Sequence, residues 1–124
     1  MLEGYYQGIP SRVNVRFFHE NQKLAEPEIV VSSLDGPEVF GSAIVSELLF
    51  DANNERFARF RKKWNTASLA GAVEICKTYI LACSCPEALE VDKDFCAGIG
   101  GHIHVATITR ASGFKWAPGL EPVT

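Results

Sequence analysis

Gly98-Ile99-Gly100-Gly101-His102-Ile103-His104-Val105-Ala106-Thr107-Ile108-Thr109 is the stretch on which the fold turns. A three-glycine connection feeds a period-two, β-branched run, which predicts a strand over 102–109. Ala111-Ser112-Gly113 reads as a turn, and Phe114-Lys115-Trp116 as the start of a short last strand. The chain thus ends in a strand pair. Pro118 to Thr124 is a polar, proline-containing tail, expected to be loosely held.

The opposite end shows the same period. Over Arg12–His19, Val13, Val15 and Phe17 point one way and Arg12, Asn14, Arg16 and Phe18 the other, as in a strand with one buried face. Asn21–Glu26 is a polar turn, and Glu28–Ser33 a second strand. Residues 1–11, with Gly4, Gly8 and Pro10, read as an irregular arm.

Three helices are expected between the strand pairs. The first starts at Asp35-Gly36-Pro37-Glu38 and runs to about Phe50, with Phe40, Ile44 and Leu48 in a row widened by Val45 and Leu49. The second, over 54–64, sets Phe57, Phe60 and Trp64 on one face and Arg56, Arg59, Arg61, Lys62 and Lys63 on the other. The third, capped by Asn65 or Thr66, buries a stripe of Leu69, Val73, Cys76, Ile80 and Cys83 and stops at Cys85-Pro86. Pro86–Val91 has room for one further turn. The order β-β-α-α-α-β-β predicts an α+β domain: one antiparallel sheet, containing both strand pairs, covered by helices on one face.

Composition is consistent with this. At 124 residues the chain has the length of one domain, 1–124, able to bury roughly two-thirds of its unfolded surface. A formal charge of −3 argues against a generally basic nucleic-acid binder. Met1–Tyr6 lacks the basic and apolar regions of a signal peptide, and no apolar run approaches a membrane span, so a cytoplasmic protein with reduced thiols is expected.

Five groups of residues carry chemistry worth weighing. The leading one is a site for a small, anionic ligand. His102 and His104 share a strand face, Arg12 and Arg16 share another, and Gly98, Gly100 and Gly101 would let backbone N–H groups approach the ligand. No Gly-Lys-Ser/Thr follows these glycines, so this is not a P-loop. The runner-up is a histidine-based enzyme: His102 and His104 move protons, Asp92, Asp94 or Glu90 orients them, and Cys96 is a nucleophile. A zinc-dependent form would draw on Cys85, Cys96, His102 and His104, whose spacing matches no familiar zinc pattern; no cofactor is expected in the leading reading. The basic aromatic segment 54–64 is better explained as an amphipathic surface than as a phosphate-binding one. Lastly, Tyr5, Tyr6, Phe18, Phe114 and Trp116 are surplus to one core and suit the interface of a homo-oligomer or interaction domain.

Overall fold

The structure, a computed structural model, describes residues 2–33, 41–65 and 67–123. The class is α+β, with antiparallel sheets and, among the described residues, four α-helices. The chain forms two compact units, Met1–Glu38 and Val39–Thr124. Among the described residues no helix is long and apolar enough to cross a membrane.

The N-terminal unit is built on hairpins. Strands β1 (Leu2–Tyr6) and β2 (Ile9–Arg16) pair antiparallel, and β2 pairs in turn with β5 (Glu28–Ser33). The arm read as irregular is therefore a strand and its hairpin. Gln7 at φ 50° and Gly8 at φ 78° form a two-residue connection with both residues left-handed, the geometry that matches strand twist. Gly8 marks a hairpin turn within the segment expected to be an irregular arm. Between β2 and β5 a small ladder, β3 (His19–Glu20) with β4 (Lys23–Leu24), turns at Asn21 and Gln22, also left-handed.

Because β1 supplies a third strand, the first strand pair completes its sheet from its own end of the chain. Among the described residues the strands form three sheets, β1-β2-β5, β3-β4 and a C-terminal pair, which corrects the expectation of one sheet holding both strand pairs. Burial within β2 is also corrected. Val13 and Val15 are only half-buried and Phe17 is exposed, whereas Arg12 is the one buried side chain among the described residues of this unit. Its Nε donates to Glu3 Oε1 at 2.8 Å, directly across the β1–β2 register.

The C-terminal unit contains the apolar core. Helix α1 (Ala43–Phe50) is capped by Ser42, whose Oγ accepts from Val45 N at 3.0 Å. The expected start at Asp35–Glu38, and Phe40, lie outside the described residues. Val45 and Leu49 are fully buried, while Ile44 is half exposed, so the inward row is the one expected only as its flank.

No helix forms over 54–64. That segment contains a single 3-10 turn, Ala58–Phe60. Asp51 Oδ1 accepts from Asn53 N and Asn54 Oδ1 from Arg56 N, each at 2.9 Å, and such local bonds compete with helical ones. The aromatics still face inward. Phe57 is fully buried, Phe60 packs on the core, and Trp64 meets the Phe50 ring edge-on at 5.8 Å. The basic residues staple this connector to helices: Arg59 binds Glu87 bidentately at 2.5 and 2.8 Å, Arg56 reaches Glu90 at 3.4 Å, and Lys62 reaches Glu74 at 3.6 Å. The Arg59 guanidinium holds the Glu87 carboxyl down at about 2.

Helix α2 (Leu69–Cys83) is capped by Ser68, which accepts from Gly71 N at 3.0 Å; the expected cap Thr66 lies outside the described residues. Its buried residues are Gly71, Thr78, Ala82 and Cys83. Leu69 and Cys76 are exposed, and Val73 and Ile80 are intermediate. At about 100° per residue, Gly71, Thr78 and Ala82 lie opposite the expected Leu69/Val73/Cys76/Ile80/Cys83 stripe, of which Cys83 alone is buried as expected. The close side is the one with small residues. A Cβ added at Gly71 would lie 1.8 Å from the Asn65 carbonyl oxygen. Gly71→Ala is therefore expected to destabilise by about 1–3 kcal/mol, because overpacking outweighs the ~1 kcal/mol that alanine gains over glycine in a helix. Urea unfolding followed by tryptophan fluorescence reads this, and a neutral or stabilising result would disprove the close approach.

Helices α3 (Pro86–Val91) and α4 (Lys93–Cys96) follow, with Pro86 at the first helical turn as its missing N–H permits. The chain ends in the hairpin β6 (Ala106–Thr109) and β7 (Gly113–Trp116). Val45, Leu49, Phe57, Ala82, Cys83, Cys85, Ala88 and Cys96 form the buried cluster. Of the residues expected at an interface, Tyr5, Phe18, Phe114 and Trp116 are exposed; the side chain of Tyr6 lies outside the described residues.

Candidate functional site

The strand expected from His102 begins only at Ala106, so both histidines stand in an irregular, extended segment. Val105 explains where the ladder fails. Its N–H donates to Leu120 O at 3.2 Å and its carbonyl accepts from Ala117 N at 2.8 Å, so the chain before β6 is bonded to the tail and not to a strand. Leu120 N closes back on Ala117 O at 2.9 Å. The tail from 118 is thus tied down as far as Leu120, contrary to the expectation of a loose end.

This clamp builds a cleft. Gly101–His104 forms one wall, Gly119–Glu121 and Val123 another, and Lys77 of α2 contributes a third side. The cleft is open and holds about 330 Å³. Gly101 sits at φ +84°, a left-handed turn that starts the histidine segment and that glycine adopts without strain. The two imidazoles, two residues apart, have centroids 6.4 Å apart with planes inclined by 39°, and both are exposed. One ammonium, two imidazoles and one carboxylate (Glu121) therefore line the cleft beside Ile103, Leu120 and Val123.

Comparison with known proteins adds no relative. No family model matches the chain, and no curated protein or solved structure resembles it significantly. What the site does must be argued from its own atoms.

Of the expected ligand-binding residues, Gly101, His102 and His104 line the cleft, and Gly98 and Gly100 do not. Arg12 and Arg16 belong to the N-terminal unit, where Arg12 is engaged by Glu3 and exposed Arg16 stands opposite Glu28 in the β2–β5 register. Lys77, Leu120, Glu121 and Val123 were missed. Lys77 lies outside the apolar stripe of its helix, and nothing in a one-dimensional pattern shows that the tail folds back beside the histidines.

The residues of the enzymatic alternative are dispersed. Cys96 is buried in the core, Glu90 pairs with Arg56, and Asp92 accepts a hydrogen bond from Ser42 Oγ at 2.5 Å. Cys85 and Cys96 are core residues whereas His102 and His104 are exposed, and among the described residues no three His, Cys, Asp or Glu stand where they could hold a metal ion. Burial raises the Cys83 and Cys85 thiols above their ordinary value, the opposite of what a nucleophile or a thiolate ligand needs. Desolvation likewise raises the Tyr79 hydroxyl, which donates to Ser42 O at 3.1 Å.

Proposed function

We propose that the cleft between Gly101–His104, Gly119–Val123 and Lys77 binds a small carboxylate-bearing molecule. The observation that carries this reading is the convergence of Lys77, His102 and His104 on one opening of about 330 Å³, near the lower end of the range for small-ligand sites. Lys77 supplies positive charge and the imidazoles supply ring N–H donors. Glu121 in the same lining opposes dense negative charge, which favours a single carboxylate over a polyphosphate. Ile103, Leu120 and Val123 offer apolar surface to the rest of the molecule.

Titrating isotope-labelled protein with butyrate, a single carboxylate on a short apolar chain, and following the three histidine side chains by NMR, tests this. His102 and His104 are expected to shift together and saturably, while exposed His19 of the N-terminal unit serves as the internal control. Lys77→Ala is expected to weaken binding by about tenfold, the value of one charge-assisted hydrogen bond. Equal shifts at all three histidines, or unchanged affinity in Lys77→Ala, would sink the proposal.

A further inference from the structure

Among the five cations of residues 56–63, Arg56, Arg59 and Lys62 each face a glutamate. Arg61 differs. Its Nε and Nη2 are sealed from solvent and meet no acceptor among the described residues, and the indole Nε1 of Trp64, three residues on, is in the same condition. These are not surface groups waiting for water. A guanidinium keeps its charge at any pH at which proteins fold, so it cannot relieve burial by losing a proton. A desolvated cation and a buried indole N–H are each expected to have a partner.

The identity of the orphaned nitrogens is informative. Nε–H and one Nη2–H lie on the same edge of the guanidinium and point in parallel, forming the side-on fork that takes two oxygens of one planar or tetrahedral oxyanion. Exposed Lys63, between Arg61 and Trp64 in the sequence, adds a further positive charge to the segment. None of these residues lines the histidine cleft.

We propose that Arg61 and Trp64 form a second anion site, in which a carboxylate or a phosphate accepts from the Arg61 fork, with the Trp64 indole as a further donor. The occupant is a free anion or the carboxylate or phosphate end of a larger molecule. In either case it fills the acceptor positions that the described residues leave open.

The chain has two tryptophans, Trp64 and Trp116, so its indole N–H region holds two NMR signals, separable by a Trp116→Phe variant. Sodium acetate and inorganic phosphate are titrated separately, with chloride holding ionic strength constant. The Trp64 signal is expected to shift saturably with at least one of them while Trp116 stays in place, and the stronger anion distinguishes a carboxylate from a phosphate source. Arg61→Gln is expected to weaken binding by about tenfold or more. Arg61→Lys, which keeps the charge and loses the fork, is expected to weaken it comparably and serves if the glutamine variant does not fold. Lys77→Ala should leave the Trp64 response intact, separating this site from the histidine cleft. An unmoved Trp64 signal with both anions, or wild-type affinity in Arg61→Lys, overturns the proposal.

Discussion

Phe57→Ala is expected to destabilise the C-terminal unit by about 3–5 kcal/mol, the cost of removing a large buried aromatic and leaving its cavity. Phe57 is the largest fully buried side chain among the described residues, yet it stands in a connector with almost no regular structure. Its backbone is held by one 3-10 turn, so the neighbouring chain has little regular hydrogen bonding of its own to retain it once the ring is gone. The ion pairs of Arg56, Arg59 and Lys62 to α2 and α3 are exposed, and such pairs contribute about 0–1 kcal/mol each, too little to compensate. Urea unfolding read by tryptophan fluorescence reports on this unit alone, since Trp64 and Trp116 both belong to it. A loss below about 1 kcal/mol, the scale of an ordinary surface change, would mean that the core is not organised around Phe57.

Ser42→Ala is expected to cost about 2–4 kcal/mol, combining a lost helix cap of about 1 kcal/mol with a carboxylate deprived of its partner at about 1–3 kcal/mol. Ser42 is fully buried and acts in three directions at once. Its Oγ accepts from Val45 N to start α1 and donates to Asp92 Oδ2, and its carbonyl accepts from the Tyr79 hydroxyl of α2. The 2.5 Å bond to Asp92 ties the start of α1 to the junction of α3 and α4. Because the side chain is inaccessible, this short contact is structural and not a poised nucleophile. A double-mutant cycle with Asp92→Asn isolates that bond, and additive single losses would show that the two groups are not coupled. Ser42→Gly separates the two contributions further, since glycine caps a helix nearly as well as serine but cannot reach Asp92.

Several elements were legible in one dimension. Glu28–Ser33 is centred on β-branched Ile29-Val30-Val31 and forms a strand with those bounds. Pro86 starts α3, and Phe57 and Phe60 face inward, as their local patterns suggested. Each depends on local covalent geometry, on where proline can stand, or on a two-residue period, and these act over a few residues. The first hairpin was equally local, but Gln7-Gly8 lacks the asparagine or aspartate that usually announces a left-handed pair.

What the sequence by itself determined is therefore the α+β class, most of the strands, and the positions of α2 and α3. Only the tertiary structure decided which side of α2 is inside. Large apolar residues define one side, but buried Gly71, Thr78 and Ala82 lie on the other, and at Gly71 the Asn65 carbonyl stands where a Cβ would be. It also decided that Lys77 and a folded-back tail complete the cleft, because the Val105 hydrogen bonds to Ala117 and Leu120 join segments that no local pattern relates. Side-chain periodicity reports what a segment could bury. Steric fit and hydrogen-bond satisfaction, both properties of the assembled chain, select what it does bury.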